Sequence, residues 1–157
     1  MRSTLCRIAL GLWIMTIGVA GWFFVQGWTT KSTDGRTVII LAPAERDLVL
    51  GEMRMLLKAV HAVVTGLAGQ DQEANRAQME QAARSAGMHM AEDVNPALMA
   101  KLPLPFKQMG MSIHHDMDAL ADAVTHKETP QQILQRLSNM TARCTTCHDM
   151  YRFSAER

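Results

Sequence analysis

The sequence predicts an all-α protein: an antiparallel four-helix bundle preceded by one N-terminal transmembrane helix. Three observations carry this expectation. Residues 8–25 hold no charged side chain. Four later segments repeat apolar residues at spacings of three and four, the period of one helix face. Proline and glycine mark the joints between them, and no alternating segment of useful length occurs apart from Val38-Ile39-Ile40-Leu41. The 157 residues suit one domain, and short links between helices of similar length suit antiparallel neighbours.

Residues 8–28 read IALGLWIMTIGVAGWFFVQGW. As a helix, these 21 residues span roughly 31 Å, against about 30 Å for a bilayer core. Trp28 sits at one end, where an interfacial aromatic belongs, and Arg2 and Arg7 flank the other. A cleavable signal has a shorter apolar region ending in a small-x-small site, whereas this run ends Trp22-Phe23-Phe24-Val25-Gln26-Gly27-Trp28. Residues 1–28 therefore read as a membrane anchor, with an uncleaved signal as the alternative. Arg2 and Arg7 favour a cytoplasmic amino terminus, although Lys31 and Arg36 follow on the other side.

Residues 29–42 form a stalk and lead-in: Thr29–Thr37 is polar and Val38–Leu41 apolar. The bundle occupies 43–157. Its first helix begins near Pro43, suited to the first helical position, and runs to about Ala68. Val49, Met53, Leu56, Val60, Val63, Val64 and Leu67 make its stripe. Gly69 ends it, and Asp71 can cap a second helix over about 72–91. There the apolar positions are small: Ala74, Met79, Ala82, Ala83, Ala86 and Met90. Asn95-Pro96 and Leu102-Pro103-Leu104-Pro105 punctuate a connection with room for a short turn at 96–101. The third helix starts at Pro105, with Phe106, Met109, Ile113, Met117, Leu120, Ala121 and Val124 on one face. Thr129-Pro130-Gln131-Gln132 opens the fourth as a capping box with proline at its first position. Its stripe is Ile133, Leu137, Met140, Cys144, Cys147, His148 and Tyr151.

Sixteen basic and fifteen acidic side chains leave +1, which gives no basic excess to attract nucleic acid. Thirteen methionines accompany only eight aromatics, and five of those lie in the first 28 residues. From residue 29 onward only Phe106, Tyr151 and Phe153 remain. The core must be filled by small aliphatics and methionine, or by something that is not protein.

Residues 144–148 read Cys-Thr-Thr-Cys-His, the attachment signature of a c-type haem. On a helix, positions i, i+3 and i+4 share a face. Cys144 and Cys147 can then form thioethers along one porphyrin edge, while His148 reaches the iron as a neutral imidazole. Two other uses of paired cysteines fit less well. A thioredoxin-like pair opens a helix after a strand, but these lie late in a helix. A structural zinc site needs about four ligands, and the third cysteine, Cys6, lies in the anchor. One covalent haem also supplies the large flat apolar body that the composition lacks, with adaptable methionine as its wall.

Over roughly residues 40–155, a Cys-x-x-Cys-His on the last of four helices resembles the class II cytochromes c, the cytochrome c′ family. The resemblance implies haem tucked into one end of a four-helix bundle in the bacterial periplasm. It also implies an inner-membrane, single-pass anchor with the bundle facing the periplasm, because haem attachment occurs on that side. Low-spin members supply a methionine from the first helix about sixteen residues before the first turn. Met53 matches, with Gly69 sixteen residues later. Members often carry an arginine one turn before that methionine, but residue 49 here is Val and the arginines are Arg46 and Arg54.

The sixth iron position is therefore Met53, an open site, or another side chain; methionine paired with histidine is a known haem ligation. Met55 lies on a less apolar face. Met88, Met90, Met109, Met111 and Met117 read as wall residues. His114-His115 reads as a solvated pair, and His61, His89 and His126 as residues of helix surfaces or ends. Arg143 and Lys107 are candidates to pair with haem propionates. The expected function is single-electron transfer without catalysis, to membrane-bound redox partners such as a dehydrogenase or oxidase. The alternative is a five-coordinate haem module that binds a small gas such as nitric oxide. Family members often dimerise through their first two helices, so a homodimer belongs among the states the resemblance implies.

Overall fold

The computed structural model describes residues 2–92 and 95–155; residue 1 of the predicted anchor and residues 93, 94, 156 and 157 of the predicted bundle lie outside them. The chain is mostly helical, with one apolar helix at its amino terminus. That helix, α1 (Arg2–Gln26), contains a 23-residue stretch from Thr4 to Gln26 that is long and apolar enough to cross a membrane. Every residue of that stretch is exposed, as a lipid-facing segment requires.

A three-stranded sheet departs from the all-α expectation. Thr29–Lys31 (β1), within the expected polar stalk, pairs antiparallel with the lead-in Thr37–Leu41 (β2), from Thr29 opposite Ile39 to Lys31 opposite Thr37. Gly35, at φ +86°, supplies the left-handed residue of the connecting turn. The third strand, Tyr151–Ala155 (β3), pairs parallel with β2 on its other side, from Thr37 opposite Tyr151 to Leu41 opposite Ala155. Tyr151 thus opens a strand rather than ending the last helix stripe. The segment Tyr-Arg-Phe-Ser-Ala alternates in the strand period, with Tyr151 and Phe153 half-buried and Arg152 and Ser154 exposed. Central β2 is the deepest strand, and its Ile39 and Leu41 are fully buried.

The helices otherwise follow their sequence signals, except that Val64 of the first stripe is exposed. α2 (Pro43–Ala68) has Pro43 in its first turn, and Glu45 reaches back to accept the Ala42 N–H at 2.8 Å. α3 (Gln72–Ser85) is capped by Asp71, which accepts from Ala74 N–H at 3.0 Å. It is shorter than the expected 72–91. The chain turns at Gly87, where Met88 N–H donates to Asp118, and a single 3₁₀ turn covers Met88–Ala91. Met79, Ala83 and Ala86 are buried as expected, but Ala74 is exposed. α4 (Pro96–Lys101) occupies the anticipated short turn. α5 (Leu104–Thr125) buries Phe106, Ile113, Met117, Leu120, Ala121 and Val124 of its predicted stripe. α6 (Pro130–Met150) opens with the Thr129/Gln132 capping box and buries Ile133, Leu137 and Met140.

Each long helix of the domain touches two others: α2 packs on α3, α3 on α5 and α5 on α6, and α6 returns to α2. The interior divides into two clusters. One is purely helical, centred on Val63, Met79, Ala83, Met117, Leu120, Val124, Ile133 and Met140. The other lies under the sheet and combines Ile39, Leu41, Val49, Leu98, Leu102 and Phe106 with the half-buried Met53, Cys147, Tyr151 and Phe153. Burying each large aliphatic of either cluster contributes about 1.5–3 kcal/mol.

Candidate functional site

At the sheet end the chain leaves a cleft of about 310 Å³. That is the lower end of the volume that small ligands and cofactors occupy, about 300–1,000 Å³. α2 contributes Arg46, Leu50 and Met53 to its lining, α5 contributes Phe106, and the end of α6 contributes Cys147 and His148. The sheet contributes Tyr151, Arg152 and Phe153, with Arg36 from the turn before β2. Arg46, Leu50 and Met53 come to one wall because residues four and three apart share a helix face. Met55, two positions on, is exposed on another face.

Three of the four residues singled out in the sequence therefore line one cleft: Met53, Cys147 and His148. Cys144 lies one turn earlier on α6, half-buried against the helical cluster, with its thiol directed at Met140 O (3.9 Å). His148 is exposed in the last turn of α6. Both cysteines are free thiols. Burial pushes the Cys147 thiol up to about 11, with neighbouring Cys144 adding to it, and burial raises Cys144 as well. A thiol used for disulfide exchange needs the opposite shift, which a helix N-terminus or nearby cation supplies. These thiols sit at a helix C-terminus, where the helix dipole disfavours an anion. Among the described residues, no three His, Cys, Asp or Glu side chains gather as a bare metal ion requires. A thioredoxin-like use thus lacks its physical conditions here.

The polar groups of the cleft were the part missed in the sequence. Lys107 and Arg143, the expected propionate partners, lie elsewhere. Lys107 is buried and donates to Phe24 O (3.1 Å) and Met99 O (3.2 Å). Arg143 pairs with Asp116 across to α5. The cleft instead carries Arg36, Arg46 and Arg152. These three guanidinium groups share two carboxylates: Asp34 meets Arg36 at 2.7 Å and Arg152 at 3.6 Å, and Asp47 meets Arg46 at 3.3 Å. The Arg36 guanidinium holds the Asp34 carboxyl well below the usual carboxylate range, with Ser32 assisting. Arg36 also reaches His148 O at 3.4 Å, which ties the turn before β2 to the end of α6. Arg152 belongs to β3 and Arg36 to the turn that leads into β2, and the sheet was not predicted.

Arg46 carries the test of fit for haem. Its Nε is the one buried side-chain nitrogen or oxygen without a hydrogen-bond partner among the described residues. Leaving such a donor unmade costs about 1–3 kcal/mol or more for a charged group. An acceptor within the cleft would relieve that cost, and a haem brings two carboxylates. The remaining lining also suits it: the free thiol of Cys147, a nitrogen donor in His148, a soft sulfur in Met53, and aromatic walls. Phe106 meets Tyr151 and Phe153 edge to face, at centroid distances of 5.4 and 5.7 Å. These are all three aromatics found beyond residue 28.

The histidines are corrected in part. His114 is buried rather than solvated, and its Nδ1 meets Ala86 O at 2.9 Å. That carbonyl ends α3 without an intrahelical partner, so the ring caps a helix terminus. His115 is exposed, as are His61, His89 and His126. The chain matches no family model and is similar to no curated protein and no solved structure.

Proposed function

We propose that the chain is a membrane-anchored c-type cytochrome of the class II kind, carrying single electrons in the periplasm. The observation that carries the reading is the convergence of Met53, Cys147, His148 and three arginines on one cleft at the end of a helical domain. In this reading α2, α3, α5 and α6 form an antiparallel four-helix bundle. Their pairwise packing supports that arrangement. The haem, when bound, supplies a one-electron iron couple.

The chain's own residues do the rest. Cys144 and Cys147 would hold the porphyrin covalently. His148 of α6 and Met53 of α2 would hold the iron. The soft thioether of Met53 would favour the reduced state and raise the potential. Arg36, Arg46 and Arg152 receive the propionates, Arg46 through its unpartnered Nε. Phe106, Tyr151 and Phe153 exclude water on the sheet side. No general base or activated nucleophile takes part, so this is a carrier and not a catalyst. α1 anchors the domain singly in the inner membrane beside a dehydrogenase or oxidase, which raises the local concentration of each partner for the other.

The test is a haem stain on a denaturing gel, using the full chain produced in a bacterium that matures c-type cytochromes. The reading expects a stained band at the mass of the chain, lost in C144A/C147A. An unstained wild-type band in a strain that stains a control cytochrome contradicts it. A stained protein with a high-spin spectrum unchanged in M53A would favour gas binding at an open iron face.

A further inference from the structure

We infer that α1 and the cleft domain form one rigid unit, clamped at residues 24–28, so that the cleft is held at fixed height and tilt over the membrane. A flexible tether would show unpaired backbone and polar, loosely placed side chains. The junction shows the reverse. Gly27 continues α1 by donating to Phe23 O at 2.9 Å. Trp28 N–H then leaves the helix pattern and donates to Lys101 O, at the end of α4, at 2.7 Å. Trp28 O accepts from Ile40 N–H of β2 at 2.9 Å. The first residue after the anchor helix is buried, and the second is hydrogen-bonded on both sides.

Diverting Trp28 N–H deprives Phe24 O of its i+4 donor. Lys107 fills the vacancy. Its buried ammonium donates to Phe24 O at 3.1 Å and Met99 O at 3.2 Å, and lies 3.7 Å from the Phe24 ring centroid. A cation at a helix C-terminus is favoured by the helix dipole and by the aromatic face. One side chain of α5 thereby joins α1 to α4. Lys101 adds a second link, 5.4 Å from the Trp28 ring centroid and 2.8 Å from Glu45 of α2.

Gly27 shows how tightly the parts are fitted. Its φ is +64°, and a Cβ there would stand 2.4 Å from Lys101 O, 2.6 Å from Pro103 N and 2.8 Å from Leu102 C. All three are backbone atoms, which cannot swing aside. Phe106, the neighbour of Lys107, lines the cleft, so clamp and cleft are one residue apart. On the cytochrome reading, the electron partner must then present its redox centre at a matching height above the bilayer, as an integral membrane protein does. That consequence rests on the haem; the clamp does not.

The test uses the full chain in lipid nanodiscs, with spin-labelled unnatural amino acids at positions 10 and 135. Double electron–electron resonance should give one narrow distance distribution, broadened by both Gly27→Ala and Lys107→Met while circular dichroism keeps its helical content. Hydrogen exchange gives a second reading. Trp28 and Ile40 amides should exchange at least about 100-fold slower than in free peptide, as ordered native segments do. A broad wild-type distribution, or free-peptide exchange at Trp28, would overturn the clamp. Narrow distributions in both variants would overturn its assignment to Gly27 and Lys107. Neither measurement needs haem, so failure here is distinct from an unstained band.

Discussion

The two ends of the domain are built from different chemistry. The helical cluster has no aromatic ring and no charged side chain; its Met79, Met117, Leu120, Ile133 and Met140 are each at most 2% exposed. The sheet end gathers Phe106, Tyr151 and Phe153, together with three arginines, a half-buried methionine and a histidine, around unfilled volume. The first arrangement is what a stable core requires. The second keeps polar groups and an unpartnered donor at a cost in stability, the trade expected of a binding site. The tightly packed core and the candidate site are thus separated along the domain, and substitutions at the two ends should have different signatures.

The largest stability effect belongs to the closed end. Leu120→Ala should cost about 2–5 kcal/mol by transfer and cavity terms. Urea unfolding measures it, and on the haem reading the spectrum of the folded fraction should be unchanged. A spectral change would mean that the two ends are not separable. His114→Ala should cost about 1–3 kcal/mol by orphaning Ala86 O, again without a spectral effect. Phe153→Leu should lose about 0.5–1.5 kcal/mol of ring–ring contact with Phe106.

Arg46→Gln should not destabilise the fold, because it removes the buried Nε that has no partner and gives up only an exposed pair with Asp47. On the haem reading proposed above, its effect should fall on the cofactor instead. Loss of a cation beside the haem favours the ferric state, so the midpoint potential should drop in a redox titration. An unchanged potential would remove Arg46 from the cofactor's surroundings.

The pH response should also differ by region. Burial lowers the Lys107 ammonium below its usual 10.5. The folded state therefore releases that proton first, and this group's contribution to stability rises as pH climbs towards 10.5. Glu45 is held below its usual 4.5 by Lys101. The unfolded chain binds the Glu45 proton first, so its contribution is present above 4.5 and is lost as pH falls below it. Lys107→Met should flatten the alkaline slope of thermal unfolding and leave the acid slope in place.

The closed end was legible in the sequence because each of its helices carries its own pattern. Pro43, Asp71 and Thr129 mark the starts, and the α5 stripe names the buried residues. The Cys144, Cys147 and His148 run was legible for the same reason, since its three residues lie within one helical turn. The sheet was not, because β2 pairs with β3 across more than a hundred residues and neither Gly nor Pro separates α6 from β3. Only the alternation of Tyr151-Arg152-Phe153-Ser154 signals the change of period. With the sheet went Arg36 and Arg152, and the propionate role fell instead to Arg143 and Lys107. His114 looked solvated because it adjoins His115 and Asp116; its partner is a carbonyl on another helix.

The measurement that bears most directly on the cleft is the absorption spectrum of the detergent-extracted full chain in both oxidation states, beside M53A. The account predicts a six-coordinate low-spin haem with a methionine–iron charge-transfer band in the ferric wild type, and loss of that band in M53A. A wild-type spectrum without haem, or a low-spin spectrum that M53A leaves unchanged, would contradict it.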